Sequence, residues 1–452
     1  MTVLGQPSVI YSWDNADRLL SLTQASAVVL FGYDGANRRT SVTFPNGILA
    51  TYAYNPRDLT GITFTQGSKT LGTLTYTADA DGHRTLVGGT WGRVTLPGAI
   101  TTATYNANNQ QTKVGTKALT YDLNGNLTKD GNITYTWDAR DRLIATSAGH
   151  GTFQYDPFGR RTKRVISNTT TRFHYDGVNP VQELDSAGNI AANLLTGLGI
   201  DEIFIRANSA GARALLGDGL GSTLALADNA GILQTTYTYE PFGEVTVAGQ
   251  TNTNPYRYTG RENDGTGLDY YRARYYSPSR QRFISEDRIG MIGRDANLYA
   301  YTWNAPIDFV DPFGLDVIIR TYCCHAPNLY GHVGIAINDN PSSGFYPNQE
   351  SWRVAANMPV PGQLVPDSEK WKPNQVEDAV RIPTTPDQDR KIQTYLDQVR
   401  RSPGQYQLHG RNCSNVVQEA LRVGGIDLGP LTSYPRDVMR QIQRYLATVA
   451  PF

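Results

Sequence analysis

The sequence predicts a mainly β first part built of repeats, followed by a smaller α+β domain. Residues 1–315 hold 20 of the 27 Tyr and 35 of the 44 Gly, a composition that suits strands joined by tight turns. Residues 316–452 hold all three Cys and most of the helix-like sequence. A chain of 452 residues has room for two to four domains of about 100–200 residues each.

The charge balance and the hydropathy pattern argue against several classes of protein. Lys+Arg and Asp+Glu both number 41, and residues 316–452 carry 14 basic and 13 acidic side chains. Binding to a phosphate backbone needs an excess of positive charge, so no nucleic-acid partner is predicted. No apolar run reaches the roughly 18–20 residues that span a bilayer. The N-terminus lacks the basic and apolar regions of a signal peptide, so we expect synthesis in the cytoplasm without one.

Seven segments of the first part share one pattern. Each has an aromatic residue, then Asp or Asn, then a turn-forming cluster and an alternating stretch. Alternation with period two between Gly, Asn and Asp residues indicates strands joined by hairpin turns. Such units cannot bury their faces alone and must stack on neighbours. The segments begin at Tyr11, Tyr33, Tyr54, Tyr105, Tyr121, Tyr135 and Tyr155.

These segments resemble the tyrosine-aspartate (YD) repeats of the Rhs family, and residues 256–315 resemble its core-associated segment. That stretch reads YRYTGRENDGTGLDYYRARYYSPSRQRFISEDRIGMIGRDANLYAYTWNAPIDFVDPFGL. The resemblance implies a β-shell fragment over residues 1–255, a self-cleavage segment over 256–315 and a polymorphic toxin domain over 316–452. It also implies secretion into a target cell, with secretion machinery or another Rhs shell and a cognate immunity protein as partners. Because 315 residues are short for a complete shell, one expectation is a truncated or displaced gene tail.

The resemblance implies self-cleavage between Leu315 and Asp316. Family members use two carboxylates in the manner of an aspartic protease, and the matching residues are Asp287 and Asp311. Two like charges at close range cannot both ionise, so one carboxyl acts as an acid and the other as a base. Arg288 stands where the family has Pro, and its charge favours two ionised carboxylates, which works against this chemistry. The alternative is that both Asp residues only cap turns.

The tail reads as short strands followed by helices. Val317–Thr321 and the stretch that begins at His332 are apolar strands. Caps and apolar periodicity predict one helix from Pro386 to Ser402, a second from Cys413 to Gly424, and a third over about residues 433–448.

Cys413, at the start of the second predicted helix, is the predicted nucleophile. Unpaired N–H groups and the helix dipole at such a position lower the pKa of a thiol. His332 is the predicted base, and Asn412 is predicted to help stabilise an oxyanion. The order of His before Cys, with GHVGIAI, GFYP and RNCSNVV, resembles permuted papain-like enzymes of the NlpC/P60 and LRAT types. This resemblance implies a cysteine hydrolase or acyltransferase with a thioester on Cys413.

Several further assignments stay open. The group that orients the imidazole is predicted among Tyr346, Asn348 and Glu350, and the sequence does not choose. His409 ranks second to His332 as the base. No metal or other cofactor is predicted, because Cys323–His325 is followed by no second Cys pair and no spaced His pair.

Two other function classes fit the same sequence. One is a structural or adhesive repeat protein with an inert tail, since a lone Cys at a helix start is more often a small buried residue than a nucleophile. The other is a non-thiol toxin, such as a nuclease.

Overall fold

A computed structural model of the protein describes residues 1–80, 82–92, 96–98, 102–287 and 297–312 of the first part. In the tail it describes residues 316–322, 332–337, 343–347, 360–366, 376–383, 386–402, 405–406, 412–426, 428, 431, 438 and 441. Contacts divide the chain into two compact units, of which the first comprises Met1–Ser285 and Tyr299–Val310. The second comprises Glu286–Leu298 and Asp311–Thr448.

The first unit is built from antiparallel sheets whose strands mostly follow one another in chain order. The first sheet has eight strands: β1 (Val9–Trp13), β2 (Leu19–Gln24), β3 (Ala27–Tyr33), β4 (Arg39–Thr43), β5 (Ile48–Tyr54), β6 (Leu59–Gln66), β7 (Lys69–Ala78) and β8 (Arg84–Gly88). The second sheet has sixteen strands: β9 (Ala103–Tyr105), β10 (Gln111–Val114), β11 (Lys117–Tyr121), β12 (Leu127–Asp130), β13 (Ile133–Trp137), β14 (Leu143–Thr146), β15 (Gly151–Tyr155), β16 (Arg161–Ile166), β17 (Thr169–Asp176), β18 (Asn179–Leu184), β19 (Ile190–Thr196), β20 (Ile203–Asn208), β21 (Gly211–Gly217), β22 (Thr223–Ala227), β23 (Leu233–Tyr239) and β24 (Val245–Gly249). The third has four: β25 (Glu262–Asn263), β26 (Asp269–Tyr271), β27 (Arg274–Ser277) and β28 (Arg282–Phe283). The predicted mainly β repeat region is confirmed.

The second unit contains a six-stranded antiparallel sheet and two helices. The strands, ordered β33-β29-β30-β31-β32-β34, are β29 (Asp316–Tyr322), β30 (His332–Ile337), β31 (Ser343–Pro347), β32 (Val360–Pro366), β33 (Val376–Pro383) and β34 (Gln405–Tyr406). Helices α1 (Pro386–Arg401) and α2 (Cys413–Val423) lie where caps and periodicity predict them. The third predicted helix lies for the most part outside the described residues. These elements do not establish the permuted papain-like arrangement.

A single turn geometry recurs between neighbouring strands of the first unit. The carboxylate of Asp156 accepts the backbone N–H groups of Phe158 and Arg160, both at 2.9 Å, and its other oxygen pairs with the Arg160 guanidinium at 2.7 Å. Gly159 supplies the left-handed backbone that the turn requires, with φ of 86°. The Arg160 guanidinium then lies 5.4 Å from the ring centre of Tyr175. The same Asp–Arg pairs recur at Asp14–Arg18, Asp34–Arg38 and Asp138–Arg142.

The four-stranded sheet β25–β28 is buried on both faces. Its Tyr270 and Tyr275 join a cluster with side chains of β11, β13 and β15, whereas Tyr271 and Tyr276 join a cluster with strands β1–β7 and β19–β23. Successive residues of a strand point to opposite faces, so each Tyr-Tyr pair serves two cores at once.

Asp269, at the start of β26, is a buried carboxyl with a perturbed pKa. It is 2% exposed, and its Oδ1 accepts the Asn263 Nδ2–H at 2.8 Å. Burial raises its pKa to about 7; the Asn263 hydrogen bond opposes this rise, and the nearby Asp264 adds to it. The protonated form of Asp269 is therefore the form that the fold prefers.

The second unit has an apolar core of its own. Ile335 of β30 and Leu364 of β32 pack with Ile392 and Leu396 of α1 and with one face of α2. Among the residues that the structure describes, no helix is long and apolar enough to cross a membrane.

Replacing Asp156 tests the recurring turn. We expect Asp156→Ala to lower the free energy of unfolding by roughly 1–3 kcal/mol, because two backbone N–H groups lose their acceptor. Asp156→Asn keeps an acceptor oxygen and should lose less, as measured by chemical denaturation. Equal losses for the two variants would show that the ion pair with Arg160 matters more than the backbone hydrogen bonds.

Asp269 should make stability depend on pH. The folded state keeps its proton up to about pH 7, whereas an unfolded Asp loses it near its model value of 3.8. Between these values the unfolding free energy of the wild type should fall as pH rises, by at most roughly 1.4 kcal/mol per unit. Asp269→Asn mimics the protonated acid and should remove this slope. The two proteins are compared by denaturation at pH 5 and pH 7.5, and a pH-independent difference would refute the assignment.

Candidate functional site

The segment before the predicted cleavage point is fixed to the second sheet by buried ion pairs. Arg161, which is 0% exposed, donates to Glu262 at 2.5 Å and pairs with Asp264. Arg164 donates to the other oxygen of Asp264 at 2.9 Å. Burial alone would lower the pKa of Arg161, but Asp264, Tyr275 and Glu262 outweigh it and raise the pKa. The charges of this cluster are mutually satisfied, as burial requires.

A second ion cluster holds the same segment. The Asp201 carboxylate accepts from Arg261 at 2.5 Å and from Arg272 at 2.7 Å and 3.0 Å. Burial raises the pKa of Asp201, but the two guanidinium groups outweigh this effect and the pKa lies below its usual value. The carboxylate is therefore ionised at neutral pH and ties the loop between β19 and β20 to Arg261 and Arg272.

The two predicted cleavage carboxylates are both described. Asp287 is half-buried, and its N–H donates to the Leu298 carbonyl at 2.9 Å. Asp311 is 7% exposed. Asp316 begins strand β29, whereas Leu315 and Arg288 lie outside the described residues.

The chain just before Asp311 is held by the turn that precedes β8. The backbone N–H of Arg84 donates to Asp308 Oδ1 at 2.5 Å, and its guanidinium donates to the Ile307 carbonyl at 3.2 Å. The rings of His83 and Phe309 meet edge to face, with centroids 6.4 Å apart. This contact joins residues more than 220 positions apart in the sequence.

Cys413 is a buried residue of the core of the second unit. It is 5% exposed and belongs to the same cluster as Ile335 and Val417. Asn412 caps α2: its Oδ1 accepts the N–H groups of Ser414 at 2.9 Å and Asn415 at 3.3 Å. The amide oxygen of Asn412 thus stabilises the helix start.

His332 begins strand β30, which packs against α2 through Ile335. Tyr346 lies on β31, whereas Asn348, Glu350 and the alternative base His409 lie outside the described residues. The catalytic roles of Cys413, His332 and Asn412 were not tested by this geometry. Within the described part of the chain, no three His, Cys, Asp or Glu side chains form a group that could hold a metal ion.

Sequence reasoning missed the ion pairs that fix the segment. A signal was present, because Arg39, Arg84 and Arg161 each stand five residues after the Asp of a turn. Successive residues of a strand point to opposite faces. The fifth residue after the Asp therefore lies on the face opposite to that of the Arg or His at the fourth position. Two of these arginines find buried carboxylates, in Glu202 and Asp264.

Sequence comparison finds toxins among the similar proteins. The chain is 30% identical over 235 residues to the tRNA nuclease WapA of Bacillus subtilis, which covers 47% of this chain and 10% of that protein. It is 30% identical over 239 residues to the double-stranded DNA deaminase toxin A of Burkholderia cenocepacia, covering 44% and 16%. It is also 38% identical over 99 residues to the toxin protein Tse5 of Pseudomonas aeruginosa, covering 22% and 7%. The chain therefore spans only about a tenth of the length of WapA.

A similar fold occurs in a solved structure, the crystal structure of TcdB2-TccC3-Cdc42. The TM-score is 0.52 at 20% sequence identity, and the match covers 68% of this chain and 20% of that chain. This likeness concerns the fold alone.

The predicted cysteine hydrolase is wrong. Similar proteins with named activities include tRNA nucleases and a DNA deaminase toxin. The prediction rested on Cys413 at a helix start together with His332 in the order of permuted papain-like enzymes, and a Cys at a helix start also fits a small residue buried in the core.

Two family models match the first part of the chain. Residues 13–51 match the RHS Repeat, and residues 92–307 match the Teneurin YD-shell. These are the regions in which the structure shows the recurring Asp turns and the doubly buried sheet. Residues 13–51 and 92–307 are therefore similar to the repeats and the shell of Rhs and teneurin proteins, and the toxin relatives support an Rhs-type polymorphic toxin.

Proposed function

We propose that this chain is part of an Rhs-type toxin, in which residues 256–315 hold the shell together and residues 316–452 act on nucleic acid without a thiol. The observation that carries the proposal is the doubly buried sheet β25–β28, which stands immediately before a unit with a separate apolar core. A locked segment followed by an independent core is the arrangement expected of a shell that bears a separate effector domain.

The proposed substrate class, nucleic acid, follows from the relatives. The relatives include tRNA nucleases and a double-stranded DNA deaminase toxin, so a nuclease is the first candidate activity. Cys413 packs in the core of the tail, where it contributes to stability. This proposal replaces the expectation of no nucleic-acid partner, which rested on the charge balance of the tail. Delivery into a target cell and a cognate immunity protein belong to the same proposal.

We also propose self-cleavage between Leu315 and Asp316, with Asp287 and Asp311 as the carboxylate pair. One carboxylate, as the base, takes a proton from a water that attacks the Leu315 carbonyl carbon, and the other, as the acid, gives a proton to the Asp316 nitrogen that leaves. Resemblance supplies the chemistry, and Asp311 is a buried residue at 7% exposure.

The toxin proposal is tested by inducing the full chain in bacterial cytoplasm. We expect arrested growth with tRNA fragments or deaminated DNA. Cys413→Ala should stay equally toxic, because the residue contributes packing worth about 1 kcal/mol rather than chemistry. Val417→Ala, at 1% exposure on the same helix, is the matched core control.

Two outcomes would contradict the toxin proposal. Loss of toxicity in Cys413→Ala, with Val417→Ala still toxic and both proteins folded, would restore a role for the thiol. Normal growth with intact tRNA and DNA would favour the structural or adhesive alternative.

Self-cleavage is tested on a denaturing gel. We expect the 49.7 kDa chain to give a fragment corresponding to residues 316–452. Asp311→Asn should leave the chain intact, because a neutral amide can neither donate nor take up the proton. Asp308→Asn, three residues earlier, is the control and should still be cleaved. An intact wild-type chain would overturn the proposal.

A further inference from the structure

We propose that a polar cavity of the first unit binds inorganic hydrogen phosphate, with Arg257 as the charged residue of the site. The cavity has a volume of about 210 Å³, and most of its lining side chains are polar. Its walls come from strands β16 and β17 and from residues of the segments 252–257 and 263–265. The inference is independent of the toxin activity and the self-cleavage proposed above, since every lining residue belongs to the first unit.

The cavity is open to solvent and suits a small solute. Thr169, Thr253 and Gly265 line it and are exposed, so an ion can enter without opening the fold. A water molecule takes up about 30 Å³ of the liquid, so the volume accommodates a small ion together with a few waters. It is smaller than the roughly 300–1,000 Å³ of pockets that enclose drug-sized ligands.

Among the described residues around this cavity, Arg257 is a cation without an acidic partner. Its Nε–H is buried and has no hydrogen-bond acceptor in the part of the chain that the structure describes. Arg161 and Arg164 lie close by, but these two cations pair with the two anions Glu262 and Asp264. A buried donor that lacks an acceptor costs free energy, and an anion that accepts from it recovers that cost.

Thr253 supplies a second donor at the mouth of the cavity. Its Oγ1 accepts from Arg206 Nη1–H and from Asn208 Nδ2–H, both at 3.1 Å. A hydroxyl has two lone pairs and one proton, so Thr253 keeps its own O–H for a further acceptor. Together with the Arg257 Nε–H, this hydroxyl gives the cavity two donors for the oxygens of an anion.

Asn254 supplies an acceptor, which selects the kind of anion. The residue is 4% exposed, and its Nδ2 donates to the Tyr256 carbonyl at 2.7 Å, which fixes the orientation of the amide. Its Oδ1 is buried and has no donor among the described residues. A ligand that satisfies this oxygen must carry a proton as well as anionic oxygens. Hydrogen phosphate has both, whereas sulfate and carboxylates have no O–H at neutral pH.

The residues of the site are held in place by the main chain. The Asn254 N–H donates to Asn252 Oδ1 at 2.9 Å, and the Arg257 N–H donates to the Arg261 carbonyl at 2.9 Å. The Arg257 carbonyl accepts the Thr223 N–H at 3.0 Å. Because these contacts do not need the ligand, little ordering of the chain accompanies binding, and a small ion can bind with useful affinity.

The test is isothermal titration calorimetry of the full chain with inorganic phosphate at pH 7.5 and constant ionic strength. We expect saturable binding of one phosphate per chain. Arg257→Gln removes the charge and the Nε–H, and it should weaken binding by roughly 10- to 100-fold. Arg172→Gln is the matched control, because it removes a cation from β17 on the face opposite to Thr171 and should leave the affinity unchanged.

Two other anions test the acceptor. Sulfate should bind the wild type roughly 10-fold more weakly than phosphate, because it leaves Asn254 Oδ1 without a donor. Glycerol 3-phosphate should also bind more weakly, since a phosphate ester with a second pKa of about 6 has lost most of its O–H at this pH. This comparison separates the free ion from a phosphate group on a larger molecule.

The inference is overturned if the wild type shows no saturable phosphate binding, or if Arg257→Gln binds phosphate as tightly as the wild type. It is also overturned if sulfate or glycerol 3-phosphate binds as tightly as phosphate. Thermal midpoints show whether each variant folds. If Arg257→Gln does not fold, the exposed Thr253→Val takes its place. This variant loses one donor and should weaken phosphate binding by roughly 5- to 10-fold, and an unchanged affinity would refute the site.

Discussion

The sheet β25–β28 has no face in contact with water, and the architecture of the first unit depends on this constraint. A strand buried on both sides needs side chains that fill space on two faces and leave no polar atom unsatisfied. Tyrosine meets both needs, since its ring packs and its hydroxyl reaches a partner at the edge of the core. The Tyr271 hydroxyl bonds to Thr259 at 2.8 Å, and the Tyr276 hydroxyl donates to the Phe242 carbonyl at 2.8 Å. The tyrosine pairs thus join two cores into one unit.

The arginines of the repeats divide into two groups by position. Those four residues after a turn Asp, such as Arg38 and Arg160, pair with that Asp and stabilise the turn locally. Those five residues after it, such as Arg39 and Arg161, pair with distant acidic residues. Buried ion pairs gain little net free energy but penalise any wrong register, because a misplaced partner leaves a charge unpaired. The local turns therefore stabilise each hairpin, and the long-range ion pairs select how distant strands pack against one another.

Local features of the sequence predicted local structure well. The Asp turns, the strands between them and helices α1 and α2 follow from turn residues and caps that act within a few positions. The doubly buried sheet could not be predicted from the sequence. In a sheet with one exposed face, one of the adjacent residues Tyr270 and Tyr271 would be exposed, and the sequence does not show that both faces are covered. The enzyme class was mispredicted for a related reason. A Cys at a helix start fits a thiolate nucleophile and a small residue of the core alike, so the position of Cys413 does not by itself identify an activity.

The long-range contacts also imply an order of assembly. The pairs Arg161–Glu262, Arg39–Glu202 and Arg84–Asp308 span 101, 163 and 224 residues. Contacts at such separations form late, because the entropy of closing the loop must be met before the contact contributes. The turns can form as each hairpin is made, but the first sheet gains the Arg84 contact only once Asp308 is present. The contact between Arg84 and Asp308 therefore joins the first sheet to the last segment of the first unit only after both residues have been synthesised.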